Sequence, residues 1–596
     1  MKINPNDKKG LIEAALGKRQ CDLVIENVKV VNLFTGEIYN GDVGIYDGFI
    51  AHIESNPDKE DREHIKIEGK KYYNGEGKYI IPGFIDAHIH IESTMMTPSN
   101  FAEAVIPHGT TTVVTDPHEI ANVLGIEGVK YMHENSKDLP MRQYILAPSC
   151  VPAVLGKENS GAEFFRKEIE ELFNLDRVIG IGEVMDFLGV VNNDDRMVEI
   201  LEAAEEKDLF IQGHAPFLDG RMLSAYVCAG PISDHESRIE KEVRDKLRVG
   251  MYVDARESSI SKDIKSLVKG VKDFRYLDTL TICTDDREPE DILRTGHIND
   301  VVRQAVQGGL NPLDAIRSAT LNSAREIGIK NLGAISPGYV ADMIITESLE
   351  DIKPDAVFFK GELVAEKGEL LNPIKNSNEE IENRNTIYVE DMKEEDFKIK
   401  APIKEGKVKV NVIKYTSLSF SPTELEVEEV PVKDGYLDIS EDKDLKFAMV
   451  INRHKGHETK SYALIRNFGT KEGAIGSTVS HDCHNITLVY DNYLNALEVF
   501  KDIKNMAGGI SCAKEGKVLN HLQLPVAGLI STKKCKDLAI ECDAMKDSLR
   551  GLGLTEIPNP LLRIATLALP VIPRVKMSDL GIIEVLSKKI IPLFIK

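Results

Sequence analysis

The sequence predicts an α/β protein with a (β/α)8 barrel at its centre, a small β-sandwich domain built from both flanks of the barrel, and an additional C-terminal α+β domain. Three observations carry that prediction. The chain has 596 residues, whereas a single hydrophobic core stops growing near roughly 250–300 residues, so several domains are required. Between 82 and 331, short apolar β-type runs alternate with helical segments, the pattern of repeated βα units and hence of a parallel sheet. β-rich segments of similar character stand on either side of that region.

Residues 1–81 open the small domain. The stretch 22–31 is apolar and β-branched, and 42–54 carries Asp47-Gly48 between apolar segments, a hairpin signal. Related strands come much later, at 338–346 and at 357–365 with its Lys360-Gly361 turn, so 332–375 completes the same domain. In the barrel, 82–331, strands read at 84–90, 112–116, 143–149, 178–184, 209–214, 230–235, 250–255 and 280–284. Helical segments at 194–207, 220–229, 237–248 and 261–274 lie between later strands, and two amphipathic helices near 300–307 and 312–326 follow the last. Eight units suit closure into a barrel, although an open doubly wound sheet satisfies the same pattern. Residues 376–400 hold eight acidic and four basic residues and little apolar content, which reads as a solvated acidic linker. Residues 401–596 form the C-terminal domain, with strands at 408–415, 446–451 and 486–490 and helices at 494–505 and 534–549.

Composition excludes several function classes. Hydrophobic residues are 42% and charged residues 29%, a globular balance. The net charge of −22 argues against a nucleic-acid binder, which needs a basic footprint, and against an anionic membrane surface. Eight cysteines without any C-x-x-C pair argue against zinc ribbons and disulfide frameworks and fit a reducing cytoplasm. The polar N-terminus lacks the apolar run of a signal peptide. The apolar stretch 564–573 contains two prolines and is too short to span a bilayer. The chain is expected to be a cytoplasmic protein that self-associates, as a dimer for instance.

In such a barrel, catalytic residues belong at the C-terminal ends of the strands. Strand one ends in His88-Ile89-His90, and alternation along a strand puts both imidazoles on one face, as two ligands of one metal require. Strand four ends in Glu183, strand five in His214, strand six in Asp234-His235-Glu236 and strand eight in Asp285-Asp286. Any one of these is commonly a satisfied core or surface residue. Four histidines and at least two carboxylates converging on one barrel mouth suit a two-metal hydrolytic site. There is no phosphate-binding G-x-x-x-x-G-K-[ST] loop. The H-x-E…P-C-x-x-C signature of cytidine-type deaminases is absent beyond its first half at His90-Ile91-Glu92.

The segment Pro82-Gly83-Phe84-Ile85-Asp86-Ala87-His88-Ile89-His90 resembles the opening strand of the amidohydrolase superfamily, and 333–342 resembles its return to the small β domain. Within that superfamily the chain is similar to the bacterial adenine deaminase family. The matching segments are His90-Ile91-Glu92-Ser93, Thr115-Asp116-Pro117-His118-Glu119-Ile120-Ala121-Asn122, Gly213-His214-Ala215-Pro216, Arg256-Glu257-Ser258-Ser259, Cys283-Thr284-Asp285-Asp286-Arg287 and Ser480-His481-Asp482-Cys483-His484-Asn485. The resemblance covers most of the chain, including the C-terminal domain that most amidohydrolases lack. Many relatives carry a carboxylated lysine at the end of strand four; Glu183 stands there instead, and agrees with the adenine deaminase family rather than with hydantoinase-type relatives.

The resemblance implies hydrolytic deamination of adenine to hypoxanthine and ammonia; the alternative is another amidohydrolase opening a cyclic amide or removing an acyl group. Its expected cofactors are two divalent metal ions, manganese or iron, with zinc also suited. His88, His90 and Asp285 are expected to bind one and His214 and His235 the other, with Glu183 bridging. Asp285, Glu183, His118 and Glu119 are expected to be catalytic. Arg256, Glu257, His481, Asp482 and His484 are expected to contact substrate. The histidines of the 480–485 motif could instead bind a further metal or stabilise their own domain. His52, His64, His108, His133 and His521 are read as structural or exposed.

Overall fold

The computed structural model describes residues 1–55, 66–374, 379–417, 422–572 and 574–595; His64 and the first three residues of the expected linker lie outside them. Eight parallel strands form the barrel: β1 (Phe84–Ile89), β2 (Thr110–Thr115), β3 (Arg142–Ala147), β4 (Val178–Val184), β5 (Phe210–Gly213), β6 (Ser233–Asp234), β7 (Tyr252–Arg256) and β8 (Leu280–Cys283). β1 to β5 pair consecutively, as do β6 to β8. The ring closes at two seams. Ile232 N–H donates to the Ile211 carbonyl at 3.1 Å between β5 and β6, and a parallel bridge joins Ile89 to Asp285 between β1 and β8. The eight expected strands are thus present and closed, and the open sheet is not the fold. β1 and β4 are buried along their whole length, including their polar residues Asp86, His88 and Glu183.

The helices lie close to their expected positions, at Asp195–Glu205, Gly220–Cys228, Glu240–Arg248, Ile264–Val271 and Ile298–Gln307. The helix Glu240–Arg248 carries Glu240 and Glu242 in its first turn and Lys246 and Arg248 in its last, complementing the helix dipole. The expected helix at 312–326 is broken into Pro312–Arg317 and Ser323–Glu326 by a π turn, Ser318–Asn322.

The small domain takes strands from both flanks. Tyr79–Pro82 pairs in parallel with Cys21–Asn32 and antiparallel with Met343–Thr346. It thereby knits both flanks into one continuous nine-stranded sheet. The C-terminal domain is a second nine-stranded sheet, from Gly406–Tyr415 to Lys517–Gln523, with helices Tyr493–Asn505, Cys535–Gly551 and Pro560–Ala565 packed on it. The acidic stretch 376–400 differs from a solvated linker: Phe397 is fully buried and its carbonyl accepts a 2.7 Å hydrogen bond from the Tyr490 hydroxyl. A few apolar residues, Ile381, Ile387 and Phe397, suffice to dock it, because charged neighbours can point outward. No helix among the described residues is long and apolar enough to cross a membrane.

The C-terminal domain is bolted across the barrel mouth. Ser531 N–H donates to the Met95 carbonyl at 2.8 Å, and Asn100 Nδ2 donates to the carbonyls of Thr532 and Lys533 at 2.9 Å each. Lys546 Nζ lies 2.5 Å from Glu288 Oε2 and also contacts Glu290. Glu158, on the loop after β3, is 3% exposed beside the 480–485 loop, and burial, with Asp482 next, pushes its carboxyl up to about 8. A carboxyl raised on folding contributes stability that is complete below its unfolded pKa and lost as pH rises through the folded value. The Tm of Glu158→Gln relative to the wild type should therefore rise as pH increases from about 5 to 9. Thermal melts at several pH values check this, and a constant offset would refute it.

Candidate active site

Five of the eight barrel strands deliver a side chain to one buried cluster. His88 and His90 come from the end of β1, Glu183 from β4, His214 from β5, His235 from β6 and Asp285 from β8. The Glu183 carboxylate is divided between two groups of imidazoles. Its Oε1 lies 3.1 Å from His90 Nε2, and its Oε2 lies 2.5 Å from His214 Nδ1 and 3.0 Å from His235 Nε2. Asp285 Oδ1 stands 3.5 Å from His88 Nε2 and 3.3 Å from His90 Nε2.

Hydrogen bonds on the far side of the β1 rings set their tautomers. Gln212 Nε2 donates to the Ala87 carbonyl at 3.1 Å, which leaves Gln212 Oε1 to accept from His88 Nδ1–H at 2.7 Å. The Asp116 carbonyl accepts from His90 Nδ1–H at 2.9 Å. In its neutral form each ring therefore turns the Nε2 lone pair towards the other, at 3.1 Å, although against burial Asp285 and Glu183 raise His90 well above the usual histidine value when no metal is bound. Two lone pairs at that distance repel unless a cation neutralises them. Histidines whose outer nitrogen donates to an oxygen are the form that binds metal. The residues present fit divalent ions.

Charge compensation agrees. Burial works against the Glu183 carboxylate, yet His235 and His214 hold it well below the usual carboxylate range. Asp285 is held low against burial by Arg256 first and then by His88 and His90. Burial, with His235 next, lowers His88 to about 4, so it is a neutral ligand at pH 7. Burial likewise opposes charge on His235, but Glu183 overrides it and pushes that ring up to about 9, the mark of an anionic pair seeking positive charge.

The scaffold beneath is polar and paired. Asp116 Oδ2 accepts from Glu183 N–H at 2.9 Å. That approach needs glycine at 182, where a Cβ would stand 2.3 Å from Asp116 Oδ2. Asp86 accepts from Thr284 N–H at 3.1 Å and Thr284 Oγ1 at 2.5 Å, tying β1 to β8. Lys246 Nζ lies 2.6 Å from Asp234 Oδ2 with both side chains fully buried, and it also donates to the Ala215 carbonyl at 2.8 Å. The residues that follow His214 and precede His235 are thereby held together.

Around this cluster the other expected site residues divide. His118 is 2% exposed, with Nδ1 3.5 Å from Glu183 Oε1 and Nε2 3.6 Å from Asp482 Oδ1. Glu119 Oε1 lies 3.3 Å from His481 Nδ1. Glu119, His481 and His484 form a further cluster of ligand-type atoms. His484 Nδ1 accepts from Ser480 N–H at 3.2 Å, so its buried Nε2, which has no hydrogen-bond partner among the described residues, carries a hydrogen to donate. Two domains thus meet at the mouth. Arg256 turns away from the opening: its Nη1 donates to Asp285 Oδ2 at 2.6 Å and also contacts Glu236. Glu257 is anchored by its backbone to Cys283 and Arg287 and is not brought into the cluster. His52, His133 and His521 are paired with Glu54, Asp176 and Asp502 away from the site.

Beside the cluster lies a small, partly open pocket. Glu92, Ser93, Asp286 and His481 form its polar side, and Leu561 and Ala565 belong to its apolar side. Ser93 Oγ lies 2.6 Å from Asp286 Oδ1 and 3.0 Å from Glu119 Oε1. Sequence reasoning named Glu92, Ser93 and Asp286 within the family-matching segments and at the end of strand eight, without assigning them a role, although they stand within three residues of the ligand-type residues His90 and Asp285. Nothing in the sequence marks the Leu561–Ala565 wall, which is an ordinary apolar helix face.

Comparison with known proteins agrees with this geometry. A family model for the amidohydrolase family matches residues 79–364, and one for the adenine deaminase C-terminal domain matches residues 421–589. The chain is 39% identical over 590 residues to adenine deaminase 2 of Carboxydothermus hydrogenoformans, covering 98% of this chain and 99% of that one. It is 36% identical to the adenine deaminase of Clostridium acetobutylicum, covering 97% and 98%, and 36% identical to that of Geobacillus kaustophilus, covering 98% of each chain.

The buried Lys246–Asp234 pair gives a stability test. Lys246→Met leaves the Asp234 carboxylate without its cation, held only by Ala215 N–H and Ser237, and should cost about 3–5 kcal/mol in urea unfolding. Adding Asp234→Asn in the same chain should recover part of the loss; equal stability of wild type and Lys246→Met would show that the pair does not hold the site.

Proposed function

The chain belongs to the adenine deaminase family of amidohydrolases, and from that premise we propose that it hydrolyses adenine to hypoxanthine and ammonia at a centre of two divalent ions. Family membership implies dependence on divalent metal. The observation that carries the two-ion reading is the Glu183 carboxylate, with one oxygen facing His90 and the other facing His214 and His235. His88, His90 and Asp285 would hold one ion and His214 and His235 the other, with Glu183 between them. Imidazoles beside hard carboxylates suit manganese or iron, and zinc also. Such ions lower the pKa of water at the site toward about 7 and so supply the nucleophile.

The protein's own groups do the rest. Arg256 occupies Asp285 Oδ2, which leaves Oδ1, the atom facing His88 and His90, to take the proton of the attacking water. The C6–O bond forms first; the same atom then returns that proton to the amine as the C6–N bond breaks, and the remaining hydroxyl proton leaves as the C6 carbonyl forms. His118 stands between Glu183 and Asp482, its Nδ1 without a hydrogen bond among the described residues, and is placed to pass a proton towards a ring nitrogen. The neighbouring pocket suits a flat, uncharged heterocycle: Leu561 and Ala565 supply an apolar face and Ser93, Asp286 and His481 a polar edge. Burial, with Glu119 next, pushes Glu92 up to about 7, and burial with Asp285 pushes Asp286 up to about 6. Glu119 and the His484 Nε2–H complete the edge. Eight free cysteines support a reducing compartment such as the cytoplasm.

The reading is tested by ultraviolet turnover of adenine with metal-stripped protein reloaded with manganese, iron or zinc, using adenosine and a cyclic amide for comparison. Metal-dependent release of hypoxanthine and ammonia is expected, with Asp285→Asn lowering kcat by about 10²–10⁴-fold. Glu183→Gln should reduce the metal retained per chain as well as activity. Cyclic-amide hydrolysis without adenine turnover would discard the purine assignment and keep the metal centre.

A further inference from the structure

Behind Glu183, on the side away from His214 and His235, three further ligand-type side chains converge. Asp116 follows β2, His118 opens the helix His118–Leu124, and Cys150 follows β3. Each offers one ligand atom, and all three atoms lie within 4.8 Å of one another. The residues are 0%, 2% and 2% exposed, respectively. Two of their polar atoms, His118 Nδ1 and Asp116 Oδ1, have no hydrogen-bond partner among the described residues, a costly state for buried groups.

The spacing suits a small cation. His118 Nδ1 lies 3.6 Å from Asp116 Oδ2 and 3.5 Å from Glu183 Oε1. Ligand atoms placed about 2.0–2.3 Å from a tetrahedral ion stand about 3.3–3.8 Å apart. On the outer side of the His118 ring, Asp482 Oδ1 stands 3.6 Å from Nε2, the carboxylate-behind-histidine arrangement common at metal-ligating imidazoles. Burial pushes the Cys150 thiol up to about 12, with His118 acting against the shift, so the sulfur keeps its proton until a cation displaces it.

We propose that Asp116, His118 and Cys150 form a third, inhibitory site for a thiophilic divalent cation of the zinc class, adjoining the two-ion centre at Glu183. The thiol sets its preference, since a thiolate favours zinc over manganese. On binding, the Cys150 S–H bond breaks, its proton passes to solvent and a sulfur–metal bond forms; no oxidation state changes. An ion here takes the His118 Nδ1 lone pair and draws on Glu183 Oε1, the two atoms that proton transfer and bridging use. The inhibitory effect rests on the adenine-hydrolysing reading, whereas the binding site does not.

The test uses manganese-loaded full-length protein. Zinc is added stepwise, unbound metal is removed, and metal per chain is counted beside adenine turnover; cobalt(II) replaces zinc in a parallel titration. The wild type should retain a third equivalent, lose turnover as that equivalent binds, and show a near-ultraviolet thiolate-to-cobalt charge-transfer band. In Cys150→Ser the band should vanish, and the third ion should bind more than about 100-fold more weakly, because even outer partners of metal ligands are worth about 10–100-fold. That variant should keep turning adenine over at zinc concentrations that silence the wild type. A wild-type protein that stops at two equivalents without a thiolate band overturns the proposal, as does a band that persists in Cys150→Ser. If adenine is never turned over with any metal, the purine reading fails, while metal count and cobalt spectrum still decide the site.

Discussion

A carboxylate that is almost wholly withdrawn from water dictates much of this structure. Glu183 is 1% exposed, and an isolated buried carboxylate would cost many kcal/mol. It is tolerated because imidazoles from three other strands converge on it and because Asp116 stands under its backbone N–H. That convergence requires β1, β4, β5, β6 and β8 to end at one rim, which a closed barrel does and an open sheet does not. The same demand explains the polar layer below. Lys246, Asp234, Asp86 and Thr284 are buried because they hold the strand ends in register around the anion.

The second constraint is the roof. A barrel mouth alone is open to water, and the C-terminal domain closes part of it with the 480–485 loop and the Leu561–Ala565 helix face. That loop is held from behind. Arg453, fully buried, donates through Nε to the His484 carbonyl and through Nη2 to the Ala527 carbonyl. His454 Nε2 donates to the Cys483 carbonyl at 2.7 Å. Across the interface, Lys546 bridges Glu288 and Glu290. Buried ion pairs of this kind add little net stability over apolar packing, but they penalise misdocking strongly, since a displaced partner leaves a bare charge. The interface therefore favours one orientation, the one that puts Asp482 behind His118 and His481 beside Glu119.

Much of this was legible beforehand because it is written in local pattern. Alternating βα runs located all eight barrel strands, and the ligand residues stood at their C-terminal ends because function follows from barrel geometry. The small domain's split origin was visible in matching β segments, but not the way Tyr79–Pro82 joins the flanks into a single sheet, since strand pairing is a long-range choice. The acidic stretch at 376–400 read as a spacer because its charges outnumber its apolar residues; the position of Phe397 in the core depends on Tyr490 and Phe500, about a hundred residues away. Arg256 was expected at the substrate, yet its guanidinium clamps Asp285 and Glu236. A charged side chain near a strand end has the same sequence signature whether it faces the opening or the wall.

By itself, then, the sequence determined the order of strands, the ligand-type residues at their ends and the family, because periodicity and residue chemistry are carried locally along the chain. Only the tertiary structure decided which carboxylate oxygen faces which imidazole, that Asp116, His118 and Cys150 share one dry corner, and that Glu92, Ser93 and Asp286 line a pocket roofed by residues some 270–470 positions away. Those are relations between distant segments, set by barrel closure and domain docking, and distances of that kind are not encoded in any local spacing.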